Sequence, residues 1–402
     1  MGLLSVVIPT KNRQYTAVYA VRSVLDVDLA DVEIVIHDCS ETDVLRSMLR
    51  DNFGDDPRIN YHYIDHPISM TDNWNAAFLK ATGRYVCGIG DDDAVLPSIA
   101  DVARWMESVK ADAVLPLRMS YVWQDAYVGQ ISCGRVTFPT RFDGSASAID
   151  LEALVAEKSR NCGFGYDADL PNLYHCVIKG ELLARHHEKA GAIVRGTSLD
   201  AYASFAFSCY AKNVYYLDYP VTIRGICGSS NSNRIVSKKS NLHFKEYDAK
   251  SLTLPEYLPP VLDSDVSITE SCIMALRDTG RTDLLEDMDL SVIYGKCAAN
   301  RPSRLFDLYR RFKRFKKPGT DGARFFKVFF SYLIGRTMKL CFVSALLAKV
   351  NQVVPVYDFI CDRVIKRNRK IKAADISEAV RTVMAYAEQN GIRLRVGEGA
   401  RG

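Results

Sequence analysis

Three consecutive carboxylates, Asp91, Asp92 and Asp93, follow a short apolar run in the stretch YVCGIGDDDAVLP at residues 85–97. Neighbouring carboxylates repel one another, and a divalent cation can offset that repulsion. Mg²⁺ and Mn²⁺ prefer oxygen ligands and are commonly held by one or two protein carboxylates together with substrate phosphates. A run of acids is by itself most often a solvated surface. With other polar residues nearby, however, the triplet predicts a site for a metal-bound nucleotide diphosphate.

Two common phosphate-binding motifs are missing from the sequence. There is no G-x-x-x-x-G-K-[ST] loop, and no G-x-G-x-x-G follows the first apolar run. A P-loop enzyme and a dinucleotide dehydrogenase are therefore disfavoured. A metal held by acidic residues would replace the glycine loop in neutralising the phosphates.

The first 115 residues alternate buried strands with amphipathic helices. Continuous apolar runs at 4–10 and 32–38, and further runs at 58–64 and 84–90, are typical of strands covered on both faces. Helical segments separate them, which predicts an α/β fold with a doubly wound, mostly parallel sheet. Ligands of such sheets bind beyond the carboxyl ends of the strands. Those ends bring Thr10, Asp38 and the triplet to one rim.

The rest of the chain divides into two parts. Residues 116–250 mix Gly-rich turns with helices and a strand at 214–218, whereas LTLPEYLPPVLD after residue 250 is a Pro-punctuated linker followed by mainly helical sequence. We therefore predict a catalytic domain at 1–250, consisting of a nucleotide-binding half at 1–115 and an acceptor half at 116–250. A mainly helical C-terminal domain is predicted at 251–402.

Four segments in order carry a family resemblance. They are SVVIPTKNR, EIVIHDCSE, ISMTDNWNAAFLKATGRYVCGIGDDD and SLDAYASFAFSCYAKNVYYLDYPVTIRGICGSSNS. Over roughly residues 3–235 the chain resembles the family 2 inverting glycosyltransferases with the GT-A fold. The resemblance implies transfer of a sugar from a nucleoside-diphosphate sugar with Mn²⁺ or Mg²⁺ as cofactor.

The resemblance also implies the donor-binding residues. Thr10, at the end of the first strand, would lie against the base or ribose. Asp38 matches the second-strand acid that contacts the base and ribose, and Asn75 matches an Asn near the nucleotide.

The metal motif of the family is usually Asp-x-Asp-Asp, and Gly90 stands where its first Asp would be. Matching the segments end to end places Asp91 near the ribose and Asp92 on the metal. A literal Asp-x-Asp pattern would use Asp91 and Asp93 instead. We favour the first register and assign the metal to Asp92, with Asp93 beside it.

Asp200 is the predicted general base. The family commonly shows Glu-Asp at this point, and this chain has Leu199-Asp200, so only the second acid is present. A carboxylate within hydrogen-bonding reach of the acceptor hydroxyl would take its proton as the sugar is displaced. The alternative role is structural, since an acid in the first turn of a helix interacts favourably with the helix dipole.

Five further residues are weaker candidates. Trp74 could stack on a base or sugar, but core packing is the commoner role of a Trp on an amphipathic helix. Tyr174 and His175 could line the acceptor pocket or form a buried structural pair. Arg224 could pair with phosphate, beside a loop at 228–233, and His243 could supply a late metal ligand.

The charge of the chain is uneven. The net charge is +4, yet residues 301–349 hold 13 Lys and Arg against two acids, interleaved with Phe, Leu and Tyr. This segment predicts a peripheral contact with an anionic membrane surface, and no membrane span is predicted. The alternatives are a helical domain packed on the catalytic unit or on a second copy of the chain. No nucleic-acid-binding module is recognised, so a nucleic acid partner is not expected.

We therefore expect a metal-dependent, inverting glycosyltransferase of polysaccharide biosynthesis, acting on a glycan or lipid-linked glycan. The 11 cysteines show no CxxC or zinc-like spacing and the N-terminus does not resemble a signal peptide, which indicates a cytoplasmic location, peripheral on the inner face of the membrane. Two alternatives stay open. A nucleotidyltransferase uses acids and a divalent ion on a similar sheet, and a non-catalytic nucleotide-sugar binder would explain the absent acids at Gly90 and Leu199.

Overall fold

The structure is a computed structural model of the 402-residue chain. It describes residues 2–126, 133–230, 254–261, 263–316, 322–349 and 368–396, and within 336–349 the helical backbone alone. Two predicted features fall outside these residues, namely His243 and the part of the loop beyond residue 230.

Thirteen strands and fourteen helices are formed by the described residues. The strands are β1 Leu4–Thr10, β2 Val32–Asp38, β3 Ile59–Tyr63, β4 Tyr85–Gly88, β5 Ala94–Val95, β6 Ala113–Pro116, β7 Met119–Val122, β8 Arg135–Pro139, β9 Ala146–Ala148, β10 Val177–Lys179, β11 Val214–Leu217, β12 Thr222–Ile226 and β13 Asn368–Lys372. The helices are α1 Gln14–Leu25, α2 Val44–Phe53, α3 Met70–Phe78, α4 Ser98–Val109, α5 Leu151–Arg160, α6 Tyr166–Asp169, α7 Gly180–Ala190, α8 Leu199–Ser208, α9 Ser264–Thr279, α10 Thr282–Glu286, α11 Leu290–Asn300, α12 Leu305–Phe315, α13 Gly322–Lys349 and α14 Ile376–Gln389.

The larger sheet has eight strands in the order β3-β2-β1-β4-β10-β6-β11-β9. Strands β1 to β4 are parallel, and Thr10 pairs in register with Asp38 at their carboxyl ends. The short strand β10 runs antiparallel between β4 and β6. The predicted mixed α/β fold with a largely parallel sheet is thus confirmed, and the antiparallel insertion is an addition to it.

Successive side chains of β1 enter opposite cores. Val6 and Ile8 pack with α1 and α4, whereas Val7 packs with α3 and α8. This alternation follows from the two-residue repeat of a strand, and each buried Val or Ile contributes roughly 1.5–3 kcal/mol. Helix α3 begins at Ser69, whose hydroxyl accepts a hydrogen bond from the amide of Asp72.

A second sheet of five strands, ordered β13-β8-β7-β12-β5, adjoins the first. The chain crosses from β4 to β5 through the turn that contains the acidic triplet, and β5 pairs with β12. This smaller sheet was not anticipated, because its strands are short and come from four distant parts of the sequence. It brings β12 against the triplet.

The C-terminal residues pack in two places. Helices α9 to α13 share a core with α8, in which Tyr294, Phe312 and Phe325 are fully buried. Strand β13 then pairs with β8, and α14 covers the smaller sheet. The mainly helical character predicted after residue 250 is confirmed, and the domain boundary at 250 stays a prediction. Within the described residues, every helix is too short or too polar to cross a membrane.

Candidate active site

A cleft of about 360 Å³ opens at the carboxyl ends of β1 and β4. Its walls come from the loop after β1, helix α3, the acidic turn, the start of α8 and the end of β12. Among the residues that line it are Thr10, Arg13, Asn73, Asp91, Asp92, Asp200 and Arg224. The cleft therefore brings the acidic turn and Asp200, about 110 residues apart in sequence, to one site.

Asp91 is held from both sides of its carboxylate. The Thr10 hydroxyl donates to Oδ2 at 2.7 Å, and Arg13 Nη1 donates to Oδ1 at 2.8 Å. The carboxylate is almost fully buried, with 4% of its side chain exposed. The predicted meeting of Thr10 and Asp91 at one rim is thus present in the structure.

Asp92 shares the same arginine. Its Oδ1 lies 3.8 Å from Arg13 Nη1, and its Oδ2 accepts from the amide of Cys227 at 3.1 Å. Burial raises the pKa of Asp92, an effect that the positive charge of Arg13 opposes. The two carboxylates in turn raise the pKa of Arg13 well above its ordinary value, Asp91 most strongly, so its guanidinium stays charged.

Asp93 points away from the cleft. Its Oδ1 accepts from the amide of Gly225 at 2.6 Å and its Oδ2 from the amide of Gly90 at 2.5 Å, and it is fully buried. Burial, and next the charge of Asp92, raise its pKa to about 7. Oδ1 thus joins the acidic turn to β12, and Oδ2 closes the turn on itself. Because Asp93 does not line the cleft, the structure does not bring it to the predicted metal site beside Asp92.

Two glycines allow the turn to close. A side chain at Gly225 would place its Cβ 1.6 Å from the carbonyl oxygen of Asp92. At Gly90, a Cβ would lie 2.9 Å from the carboxylate of Asp93 and 3.1 Å from the hydroxyl of Tyr174. A side chain at Gly90 would therefore require these neighbouring side chains to shift.

Two of the predicted donor-binding residues do not line the cleft. Asp38 is fully buried at the end of β2, where its carboxylate accepts from the amide of Ser40 and lies 2.8 Å from the Tyr61 hydroxyl. Asn75 faces the opposite side of α3. Its Nδ2 donates to the carbonyl of Val194, and its Oδ1 accepts from the backbone amides of Ile193 and Val194.

Asn73 is the asparagine of α3 that does line the cleft. Its Nδ2 donates to the carbonyl of Thr10, and its Oδ1 lies 2.6 Å from Nδ1 of His37. Residues 73 and 75 point to different sides of α3, because positions two apart on a helix do not share a face. A helical wheel would therefore have shown that only one of the two asparagines can face the cleft. Asn73 therefore lines the cleft and Asn75 does not, while the predicted contact of Asn75 with a nucleotide stays a prediction.

Asp200 lies in the first turn of α8 with its carboxylate half-exposed. Tyr166 donates from its hydroxyl to Oδ2 at 2.7 Å, and Ser198 donates to Oδ1 at 3.0 Å. Tyr166 is 6% exposed, and burial together with the charge of Asp200 raises its pKa far above the usual value. Tyr166 therefore stays protonated and fixes the orientation of the carboxylate.

A second cavity of about 420 Å³ lies on the other side of Asp200. It shares Tyr174, Asp200 and Arg224 with the cleft, so the two spaces meet at these residues. Its other walls are mostly polar or aromatic and come from β7, β8, α6 and the first residue of β13: Arg118, Ser120, Thr137, Phe138, Tyr166, Asp167, Asn172 and Asn368. Alternating aromatic faces and hydrogen-bonding groups suit a sugar.

Tyr174 lines both spaces, and the neighbouring His175 lines the second cavity. His175 has a positive φ of 69°, its Nδ1 lies 3.0 Å from the Thr222 hydroxyl, and its Nε2 is 3.6 Å from Asp93. Burial, then the positive charges of Arg224 and Arg118, lower its pKa well below the usual range, so it is neutral. His175 is buried, as the structural alternative predicted, whereas Tyr174 is partly exposed, and both line the second cavity.

Trp74 packs against Phe78 and Tyr174, as the core role predicted, and it also lines the cleft. Its stacking on a base or sugar stays a prediction. Arg224 also lines both spaces. Its placement agrees with the prediction that it could meet a phosphate.

The site offers hard oxygen ligands for a divalent cation at Asp91 and Asp92. In the described part of the chain, no cluster of three His, Cys, Asp or Glu could hold a metal by protein groups alone. A pair of carboxylates completed by substrate phosphates is a usual site for Mg²⁺. Asp91 and Asp92 fit such an ion if the guanidinium of Arg13 moves away from the two carboxylates.

Arg13 and Tyr166 are the functional candidates that sequence reasoning missed. Arg13 follows Thr10 by three residues in PTKNR, and a basic residue just after a strand that ends at the same rim as the acidic triplet is a signal that could have been used. Tyr166 gives no such signal, because its pairing with Asp200 depends on how the loop before α6 folds.

Comparison with known proteins assigns the N-terminal region. Residues 5–146 match the family described as Glycosyl transferase family 2. A stretch of 100 residues is 34% identical to the GalNAc(5)-diNAcBac-PP-undecaprenol beta-1,3-glucosyltransferase of Campylobacter jejuni, covering 24% of this chain and 31% of that protein. A stretch of 96 residues is 35% identical to Escherichia coli WcaA, a proposed colanic acid biosynthesis glycosyl transferase, covering 24% of this chain and 34% of that protein. The match thus spans about a third of the length of these relatives.

Solved structures also align with most of the chain at low sequence identity. Staphylococcus aureus TarS 1–349 in complex with UDP-GlcNAc is 13% identical with a TM-score of 0.44, covering 84% of this chain and 92% of that one. The mannosyltransferase PcManGT of Pyrobaculum calidifontis, in complex with GDP-Man and Mn²⁺, is 14% identical with a TM-score of 0.39, covering 84% and 86%. The family match over residues 5–146 shows that the N-terminal region of the chain is similar to glycosyl transferase family 2.

Proposed function

We propose that the protein transfers a sugar from a nucleoside-diphosphate sugar to a hydroxyl group of a glycan, with inversion at the anomeric carbon. The observation that carries this proposal is the position of Asp200, at the junction of two cavities. A donor in one cavity and an acceptor in the other would meet at this carboxylate. The family match over residues 5–146 supports sugar transfer as the reaction class.

The donor would occupy the cleft beside the acidic turn. Asp91 and Thr10 would contact the ribose, while Arg13 and Arg224 would contact the diphosphate, and all four residues line the cleft. Asp92, with Asp91, would hold Mn²⁺ or Mg²⁺. When bound, such an ion neutralises the charge that develops on the leaving diphosphate.

Asp200 would act as the general base. The acceptor oxygen forms a bond to the anomeric carbon while the bond from that carbon to the diphosphate oxygen breaks. The hydroxyl proton passes to Asp200 as the new bond forms, a contribution of about 10²–10⁴-fold in rate. Attack on the face opposite the leaving group inverts the anomeric configuration. Tyr166 and Ser198 keep the carboxylate oriented throughout.

The acceptor would occupy the second cavity. Its hydroxyl, amide and aromatic groups match the hydrogen-bonding and apolar faces of a sugar ring. The Campylobacter jejuni relative is named for an acceptor linked to undecaprenol through a diphosphate. A glycan or a lipid-linked glycan is therefore the acceptor class that we propose here.

A lipid-linked acceptor would bring the enzyme to the cytoplasmic membrane face. Helices α12 and α13 expose large apolar side chains, with Phe306 80% and Ile334 55% exposed, among basic residues. Such a surface can lie on anionic lipid headgroups. Co-sedimentation with vesicles of anionic lipid, but not with neutral vesicles, would support this contact. A second copy of the chain on the same surface would instead give a concentration-dependent dimer without vesicles.

The experiment that tests the function has two steps. A thermal-shift screen of nucleoside diphosphates with Mn²⁺ identifies the base, since a ligand that binds the folded state raises its melting temperature. The matching nucleotide sugars are then incubated with glycan acceptors, and the product anomer is determined by NMR. Transfer with inversion supports the proposal. Release of pyrophosphate would indicate nucleotidyl transfer, and tight donor binding without any turnover would indicate a non-catalytic binder.

A further inference from the structure

Arg13 occupies the position in which a cation would be expected at the acidic pair. Its Nη1 lies 2.8 Å from Oδ1 of Asp91 and 3.8 Å from Oδ1 of Asp92, while its Nη2 donates to the carbonyl of Ser229 at 3.0 Å. The side chain is 21% exposed, against 4% for each acid. One guanidinium therefore faces both carboxylates from the mouth of the cleft.

The two carboxylates need this charge. Each buried carboxylate loses its hydration, and the pair also repels itself. Thr10 and the amide of Cys227 supply hydrogen bonds to Asp91 and Asp92 but carry no net charge. Arg13 is the charged group that contacts both members of the pair among the ion pairs of the described residues.

We infer that Arg13 is the resident counter-ion of the Asp91–Asp92 pair, and that a divalent cation binds there only in exchange for it. This inference rests on the metal site of the proposed function. Oδ1 of both acids faces Arg13, so an ion held by Asp91 and Asp92 would have to share this space with the guanidinium. Two positive charges so close repel strongly, so the guanidinium must leave when the ion enters. Its release also frees the contact with Ser229 and makes Arg13 available to a phosphate.

The inference predicts that Arg13 weakens ion binding in the absence of nucleotide. Mn²⁺ binding is measured by electron paramagnetic resonance of the free ion, with no donor or acceptor present. We expect Arg13→Gln to bind Mn²⁺ at least tenfold more tightly than the wild type, and Arg13→Lys, which keeps the charge, to stay within about threefold of it. The double variant with Arg13→Gln and Asp92→Asn should not show the tighter Mn²⁺ binding expected of Arg13→Gln alone. Arg58→Gln, which removes a distant ion pair with Asp56, is the matched control and should bind as the wild type does.

A second measurement uses the wild type, in case Arg13→Gln does not fold. Phenylglyoxal modifies accessible arginines, and the rate at Arg13 can be followed by peptide mass spectrometry. Exchange predicts that saturating Mn²⁺ accelerates modification of Arg13 and leaves Arg58 unchanged. Equal Mn²⁺ affinity in Arg13→Gln and the wild type, or slower modification of Arg13 with Mn²⁺, would overturn the inference. Neither assay depends on sugar transfer, so its failure is separate from a failure of the proposed function.

Discussion

The hydroxyl of Tyr166 lies 2.7 Å from Oδ2 of Asp200 and donates a hydrogen bond to it. The tyrosine is buried, while the carboxylate stands half-exposed where the two cavities meet. A buried donor on one oxygen, with Ser198 on the other, restricts the carboxylate to one orientation. If Asp200 takes the proton of the acceptor, Tyr166 is a positioning residue for that step.

Replacing Tyr166 by Phe should therefore slow sugar transfer. Loss of the hydrogen bond leaves the ring in place but allows the carboxylate to rotate, so we expect kcat to fall about tenfold, an energetic cost of about 1.4 kcal/mol. The Kd for the donor should stay within about threefold, because Tyr166 lines the second cavity and not the cleft. Steady-state kinetics and calorimetric titration of the donor would measure the two effects.

The matched control is Tyr210→Phe, which removes a buried hydroxyl that contacts His186 away from both cavities. It should leave kcat unchanged. Equal kcat in Tyr166→Phe and the wild type would show that Tyr166 does not position the base.

Asp92 and Asp93 should respond differently to the same substitution. Asp92→Asn removes a proposed ligand and should reduce Mn²⁺ binding in the presence of nucleoside diphosphate by tenfold or more. Asp93→Asn replaces an oxygen that accepts from a backbone amide by an NH₂ group, so it should lower the free energy of unfolding by roughly 3 kcal/mol. Denaturant unfolding and Mn²⁺ titration separate the two. If the Asp93→Asn variant folds stably but loses most of its Mn²⁺ binding, Asp93 is a metal ligand after all.

The sequence predicted the elements that reach the site better than the side chains within it. Strands β1 to β4 were predicted from long apolar runs, and their carboxyl ends do meet at one rim, because that pattern is local and strong. The different orientations of Asp91 and Asp93 depend on β12, a strand about 130 residues later, whose Gly225 amide donates to Asp93. The contact of Arg13 with the acidic pair likewise joins distant parts of the chain. Asn73, by contrast, could have been distinguished from Asn75 by a helical wheel.

The close approach at Gly225 gives a prediction for stability. An added Cβ would lie 1.6 Å from the carbonyl oxygen of Asp92, so β12 or the acidic turn must move. We expect Gly225→Ala to lower the free energy of unfolding by about 3 kcal/mol and to weaken donor binding. Gly335, an exposed helical glycine with open space around its Cα, is the control. Gly335→Ala should be stabilising by about 0.5–1 kcal/mol, and a harmless Gly225→Ala would contradict the described packing.

The free energy of unfolding is expected to depend on pH because of Glu270. It is 5% exposed in α9, and burial raises its pKa from 4.5 to about 7. The folded state therefore retains a proton that the unfolded chain has lost, and stability falls as the pH rises from about 4.5 to 7. Glu270→Gln cannot lose this proton. It should match the wild type near pH 4.5 and exceed it by roughly 2–3 kcal/mol at pH 8. Denaturant unfolding across this range tests it, and parallel pH curves for the two proteins would refute the assignment.

The most direct test of the proposed mechanism compares Asp200→Asn with the wild type, using the donor identified by the nucleotide screen. Asn keeps the shape of the side chain and its contacts with the first turn of α8, but it cannot take the acceptor proton. The predicted result is a transfer rate lower by about 10²–10⁴-fold with a donor Kd within about threefold of the wild type. Transfer at the wild-type rate by Asp200→Asn would contradict the account.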